Sequence, residues 1–512
     1  MKFMRDTIYS TKTLSHFFYA ILILHVVLWT FSPLWIRNAV SHDVIEAFVW
    51  AQQLDWGYDK NPWVIGWLTR LGIFLTHGQS EGGYYFIQQV WIALGFWSVW
   101  QLGKKFFSSA TALVGVLILE GCLYYSVYVE VNNDNFAMFG FWMLGTYLFY
   151  LACERQRVRD WLLTGAVLGL ALMSKYSGIF LVFSLFIFLL VNSEARKSFQ
   201  KMGLYLGVIV GSLICLPHLI WLSHHDWVTV RYLMNREVVT DPGIFGQYFY
   251  YPLTFLRDTF YNVSISFMLF LFVSPFSRAS HIKTQSVLNS AQFLWIVGLG
   301  PLLLATLLAI PLRWSLRSEW GVPMLGCIGL LLVYYVRPSE SVRSINRFLI
   351  AVVTLMGLTV LAHYIISAHL TAGKGSADYP AKTIALSVTQ LWHDRYHRPL
   401  KYVAGSRYVA GYIAFYSPDH PRVFSEWNEN YSNGIDLADL KKEGAVFVED
   451  GFYGTTVEGL PEGYAWPGHF PTSVIHRYPH LKILPMATFP YCRNKKTHDV
   501  ETLLVGILPP LS

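Results

Sequence analysis

FFYAILILHVVLWTFSPLWI, residues 17–36, followed at 42–58 by HDVIEAFVWAQQLDWGY, decides how this chain is read. The first stretch carries no Asp, Glu, Lys or Arg and has the length needed to cross a bilayer core, about 20 residues. Lys2, Arg5 and Lys12 precede it, and it is too long for a signal-peptide core, so it reads as a retained first helix. The second stretch puts Asp43 and Glu46 three residues apart, on one face of a helix.

Working outward, further apolar runs occupy 84–103, 107–126, 135–153, 161–174, 176–192, 202–222, 260–277, 290–310, 320–336 and 346–368. Over 512 residues, 54% are hydrophobic and only 14% charged, where a globular chain carries about a quarter charged. The expectation is a polytopic α-helical membrane protein of about eleven spans. Residues 1–368 form its transmembrane domain, with interfacial helices in 37–83, and 369–512 form a small α/β domain.

Loop charges orient it. With the N-terminus in the cytoplasm, the inner loops hold Lys104–Lys105, ERQRVRD (154–160), EARKSFQK (194–201), SRASHIK (277–283) and RPSESVRSINR (337–347). All are rich in Lys and Arg, as the positive-inside rule requires. The net charge of +7 is therefore a topology signal and not a nucleic-acid footprint. An odd number of crossings places the tail outside. The outer segments then collect Asp43, Glu46, Asp59, Lys60, Asp134, Lys175, His224, His225, Asp226, Arg231, Arg236, Arg313, Arg317 and Glu319. Mid-span positions read as almost empty of ionisable groups, which speaks against a flippase or transporter, where such groups line the path.

In the segment 37–83, Val44, Phe48, Ala51 and Leu54 recur at near-helical spacing. That pattern predicts an amphipathic helix on the outer interface, a break at Gly57 and a second helix after Pro62. In the tail, KYVAG (401–405), RVFSE (422–426), GAVFVED (444–450) and TLLVGIL (502–508) read as strands, with a helix RYVAGYIAFY capped by Ser406. Four of the five cysteines lie in apolar spans, leaving Cys492 without a disulfide partner in the tail.

Asp43 suits a general base, with Glu46 orienting it or a cation; two solvated charges on a surface helix would look the same. Lys60, on the turn GYDKNPW (57–63), suits a phosphate contact or a snorkelling lysine. Asp134 in VEVNNDNF is a second carboxylate or a helix cap. His393 and His397 have metal-ligand spacing but no third ligand, so they read as a solvated helix face and no metal site is assigned. Walker, GxGxxG and HExxH motifs are absent, as befits a reaction whose energy is stored in its donor.

In order, HDVIEAFVWAQQLDWGY, DKNPW, NNDNF, LMSKYSG (172–178) and PHLIWLSHHDW (217–227) resemble the motif series of bacterial C-type membrane glycosyltransferases. That group contains the protein O-mannosyltransferases and the lipid A aminoarabinose and lipopolysaccharide galacturonic-acid transferases. The resemblance covers roughly residues 40–320, and Trp63 stands where the family has the second proline of a pair. It implies transfer of a sugar, with inversion, from a polyprenyl-phosphate donor to a lipid, glycolipid or protein acceptor on the periplasmic face of the inner membrane. The tail style, GSRYVAGYIAFYSPDHP, points to the lipid-modifying members. Carried over, Asp43 is the catalytic base with Glu46 beside it, and Lys60, Lys175 and Arg317 bind the donor phosphate. Asp134, Tyr58, Tyr176, His225 and Glu319 line the cavity. A divalent cation is compatible with this set, and no nucleic acid is implied.

Overall fold

The computed structural model describes residues 8–76, 80–130, 134–237, 246–272, 288–312, 314, 316–370, 376–432, 434–450, 469–493 and 500–511. The inner loop read at 277–283 and Arg313 lie outside them, as does the side chain of Asp134. The chain divides into two compact units. One contains Met1–Phe31, Lys60–Val64 and Tyr85–Ala362; the other contains Ser32–Asp59, Ile65–Tyr84 and His363–Ser512. The segment that the sequence groups with the membrane domain, 37–83, thus falls largely with the C-terminal residues.

The first unit is a helical bundle. Among the described residues, five helices are long and apolar enough to cross a membrane: Thr11–Ile36, Asn135–Arg155, Met202–His224, Ser290–Leu312 and Val342–Leu370. Counting each of two bent pairs as one span gives seven. In their described residues the other apolar runs also fall on helical structure, including Glu81–Phe106, whose two buried glutamines, Gln88 and Gln89, lower its hydropathy. The outer helices turn apolar faces away from the protein: Leu213, Ile350 and Leu358 are each more than half exposed. Leaving apolar surface in water costs about 25 cal/mol per Å². Such faces are stable against lipid, and the chain is a multi-pass membrane protein.

Small residues let helices approach closely. A Cβ on Gly165 would fall 1.9 Å from the Gly207 carbonyl oxygen, and one on Gly169 would fall 3.0 Å from that of Gly211. The constant offset means that Val158–Ser174 and Met202–His224 run parallel. Helices two crossings apart must do so, as the loop charges require. One expectation is corrected here. His25 and Glu120, both in apolar runs, are fully buried and bonded, Nδ1 to Oε2, at 2.8 Å. Mutual pairing is how ionisable groups persist at such depth.

The second unit is built on a six-stranded mixed sheet. Its strands are β1 (Tyr402–Gly405), β2 (Arg422–Ser425), β3 (Ala445–Asp450), β4 (Lys482–Ile483), β5 (Ala487–Pro490) and β6 (Val500–Leu508). The order is β2-β1-β3-β6-β4, with β5 also on β6. β1 pairs in parallel with both β2 and β3, and β6 runs antiparallel to β3. The four strands read from sequence are present. β4 and β5 are short and partly exposed, one ending in proline, and leave no alternating pattern to read.

The helix Arg407–Tyr416 connects β1 to β2 and packs on the helix His42–Ala51. Gly411 makes room for Ile45, whose Cγ2 lies 2.3 Å from where a Cβ would sit. Phe48 meets Phe415 edge to face at 5.2 Å, and Tyr412 donates to the Val40 carbonyl. Residues Val44–Ala51 are consequently all buried. The 42–51 segment is helical as expected, but the face read as meeting the membrane interface is covered within this unit. The helix resumes at Val64–Leu75, after Pro62.

Candidate active site

In the second unit, the acids divide. Asp43 is half-buried in the first turn of its helix, whereas Glu46, one turn on, is buried. Glu46 Oε1 accepts from Arg407 Nη1 at 2.6 Å, and Arg407 Nη2 donates to Asp59 Oδ2 at 2.7 Å. The Trp50 indole also donates to Asp59, at 3.2 Å, and Glu426 accepts from the Arg407 backbone N–H at 3.0 Å. The guanidinium lies 6.0 Å from the Trp50 ring and 5.9 Å from the Tyr431 ring. Burial alone would weaken its charge, but the carboxylates of Asp59, Glu46 and Glu426 hold its pKa well above the usual value.

Neighbouring groups fix the rest of this cluster. Tyr58 stacks on Trp50 at 5.3 Å and donates to the Gln53 carbonyl; burial pushes its hydroxyl pKa up. A Cβ at residue 66 would fall 2.2 Å from the Tyr58 oxygen, so Gly66 is what admits the tyrosine. Burial, and then the Arg37 charge, pulls His42 down to about 4 against the opposing pull of Glu46. The imidazole beside Asp43 is therefore neutral at pH 7.

In the first unit, Lys60 Nζ sits 5.6 Å over the Tyr232 ring. Lys175 interrupts two helices with extended backbone (φ −162°) and donates to the buried Asn135 Oδ1 at 3.0 Å. The next residue, Tyr176, bonds the fully buried His218 at 2.6 Å. His218, Trp221 and His225 stack in succession, and His225 Nδ1 donates to the Trp221 carbonyl. Arg317 is exposed and Glu319 half-buried around the turn Ser318–Gly321. Asp134 opens the helix Asp134–Arg155.

So Asp43, Glu46 and Tyr58 share one unit with Asp59, and Lys60, Lys175, Tyr176 and His225 share the other. Sequence reasoning missed the role of Arg407. The available signal was an arginine at the start of an otherwise apolar helix directly after a strand. It also passed over Glu449 and Asp450, buried at the end of β3. Burial and then the Asp450 charge raise Glu449 to about 9; burial and then Glu501 raise Asp450 to about 8. Among the described residues no three His, Cys, Asp or Glu side chains are grouped to hold a metal, and His393 instead bonds Asp419 at 2.7 Å.

The fold is that of the C-type membrane glycosyltransferases. The crystal structure of ArnT from Cupriavidus metallidurans bound to undecaprenyl phosphate superposes with a TM-score of 0.60, at 14% identity, over 95% of this chain and 97% of that one. Its apo form gives 0.56. Residues 60–221 match the dolichyl-phosphate-mannose-protein mannosyltransferase family. The lipopolysaccharide core galacturonosyltransferase RgtA of Rhizobium johnstonii is 22% identical over 433 residues, 81% of this chain and 83% of the relative. The lipid A galacturonosyltransferase RgtD of the same organism is 26% identical over 228 residues, 41% of this chain and 46% of that one. In fold, in its matched segment and in these relatives, the chain is similar to membrane glycosyltransferases of the C-type group.

Proposed function

We propose that the protein transfers a sugar from a polyprenyl-phosphate donor to a lipid acceptor, lipid A, lipopolysaccharide core or another glycolipid, on the periplasmic face of the inner membrane. The observation that carries this reading is the likeness, over 81% of this chain, to a lipopolysaccharide core galacturonosyltransferase. The ion pair between Arg407 and Glu46 fixes the helix that presents Asp43. Asp43 is the general base: it takes the proton of the acceptor hydroxyl as that oxygen attacks the anomeric carbon. The bond from that carbon to the phosphate oxygen breaks, and the electrons leave on the polyprenyl phosphate. Lys60 and Lys175 compensate the growing negative charge, with Arg317 contributing. A single displacement inverts the anomeric centre, and the phosphate leaving group needs no acid.

The relatives support a lipid acceptor, since two of them are named for lipopolysaccharide core and lipid A. The mannosyltransferase family match over 60–221 favours protein O-mannosylation as the second reading. Mass spectrometry of lipids and proteins from a deletion strain separates the two. Loss of a hexose or acidic sugar from the glycolipid pool supports the first, and loss from proteins alone overturns it.

A further inference from the structure

In the second unit a cavity of about 300 Å³ opens beside the carboxyl end of β2. In sheets with parallel strands, ligands settle beyond the carboxyl ends where successive connections diverge. Here the chain goes from β1 to β2 on one side and then crosses β1 to reach β3 on the other. The cavity lies beyond the outer strand β2, on the same carboxyl side as the β1/β3 divergence but not at it, and its volume lies at the lower bound of small-molecule sites.

Its lining is built from Trp427, Asn428, Asn430, Tyr431, Ser473 and Arg477, and the aliphatic side chains present are only Pro471 and Val474. Acyl chains find little purchase there. A hydroxyl-rich ring needs a mixture of donors and acceptors with an aromatic surface, and amides, the Glu426 carboxylate, the Ser473 hydroxyl, a guanidinium and three aromatic residues, with Tyr478 the third, supply it. Arg477 is steered by a hydrogen bond to the Trp427 carbonyl at 3.2 Å and by an ion pair with Glu429 at 3.6 Å.

Two further observations mark the wall as built for a ligand. Glu426 and Trp427 both adopt left-handed backbone, φ 54° and 51°, a conformation that side chains with a Cβ resist and that functional loops retain. The Trp427 indole N–H is buried without a hydrogen-bond partner among the described residues. Glu426 and Tyr431, at this cavity, also contact Arg407, which holds Glu46 one turn from Asp43.

We propose that this cavity is a saccharide subsite that holds a sugar ring of the acceptor glycolipid. The proposal rests on the lipid-acceptor reading above. Two variants test it in the full-length protein: Arg477→Ala with Asn430→Ala, which removes exposed donors, and Ser473→Trp, which fills the space. Saturation-transfer NMR with delipidated lipopolysaccharide core oligosaccharide reads the cavity without any reaction. Wild type is expected to bind and both variants to lose binding, while the acceptor KM rises roughly tenfold and the donor KM holds. No binding by wild type, or equal binding by the variants, overturns the proposal. Binding lost with an unchanged acceptor KM overturns its assignment to the acceptor. Binding that the variants abolish, in a protein that transfers no sugar to lipid, leaves the saccharide site standing and fails the lipid-acceptor reading instead.

Discussion

Arg407 and Glu46 lie 361 residues apart in the chain and 2.6 Å apart in space, Nη1 to Oε1, with Asp59 on the other arm of the same guanidinium. All three side chains are about nine-tenths buried or more. Breaking one partner of a buried pair strands the other, at about 3–5 kcal/mol. Arg407→Met should therefore lower the thermal midpoint of the purified protein markedly, and Glu46→Gln should lower it less, because Asp59 still holds the guanidinium. An unchanged melting curve for Arg407→Met would show that the clamp does not hold the unit together.

The lysines carry a separate expectation. Lys60→Ala should raise the apparent KM for a polyprenyl-phosphate sugar, by roughly tenfold to a hundredfold for one lost charged contact. Lys175→Ala should behave similarly with some loss of stability, because it also removes a donor from the buried Asn135 Oδ1. Donor titrations on both variants decide this; an unchanged donor KM removes the phosphate role.

The buried acids of β3 give a pH dependence with a definite sign. Glu449 and Asp450 ordinarily titrate near 4.5 and 3.8, but in the fold they sit at about 9 and about 8. Groups with raised folded values stabilise fully below their unfolded pKa and lose that contribution as pH rises through the folded one. His42 is depressed from 6.5 to about 4, so its contribution is complete above 6.5 and fades as pH falls toward 4. Between pH 6.5 and 9 the His42 contribution is already complete, and Glu449 and Asp450 should make stability fall with rising pH. Glu449→Gln with Asp450→Asn should flatten that decline, as measured by thermal unfolding across the range. An equally steep decline in the double variant would assign the effect elsewhere.

Helix packing in the first unit is testable at Gly165. A Cβ there would collide with the backbone of Gly207, which cannot rotate away as a side chain can. Gly165→Val should lower membrane-extracted yield and melting temperature, whereas Gly357→Ala, where nothing lies within 4 Å, should be neutral. Equal behaviour of the two would refute the close approach.

The helical bundle was legible because apolar runs and loop charges are local signals, and the four main strands showed themselves as short apolar stretches between turn residues. What stayed hidden was non-local. Nothing near Glu46 in sequence announces Arg407, so the ion pair that holds this acid could not be read from the acid pair itself. His25 and Glu120 were hidden similarly, each lone in its own run. Glu449 and Asp450 drew no reading, because their burial by β6 depends on a pairing more than fifty residues away.

The central claim is that Asp43 performs the chemistry. With purified full-length protein, a polyprenyl-phosphate sugar and a lipid A acceptor, Asp43→Asn should reduce transfer by at least about a hundredfold, the range for losing a general base. Its melting curve should match that of the unaltered protein. Transfer at the full rate by that variant would contradict the account.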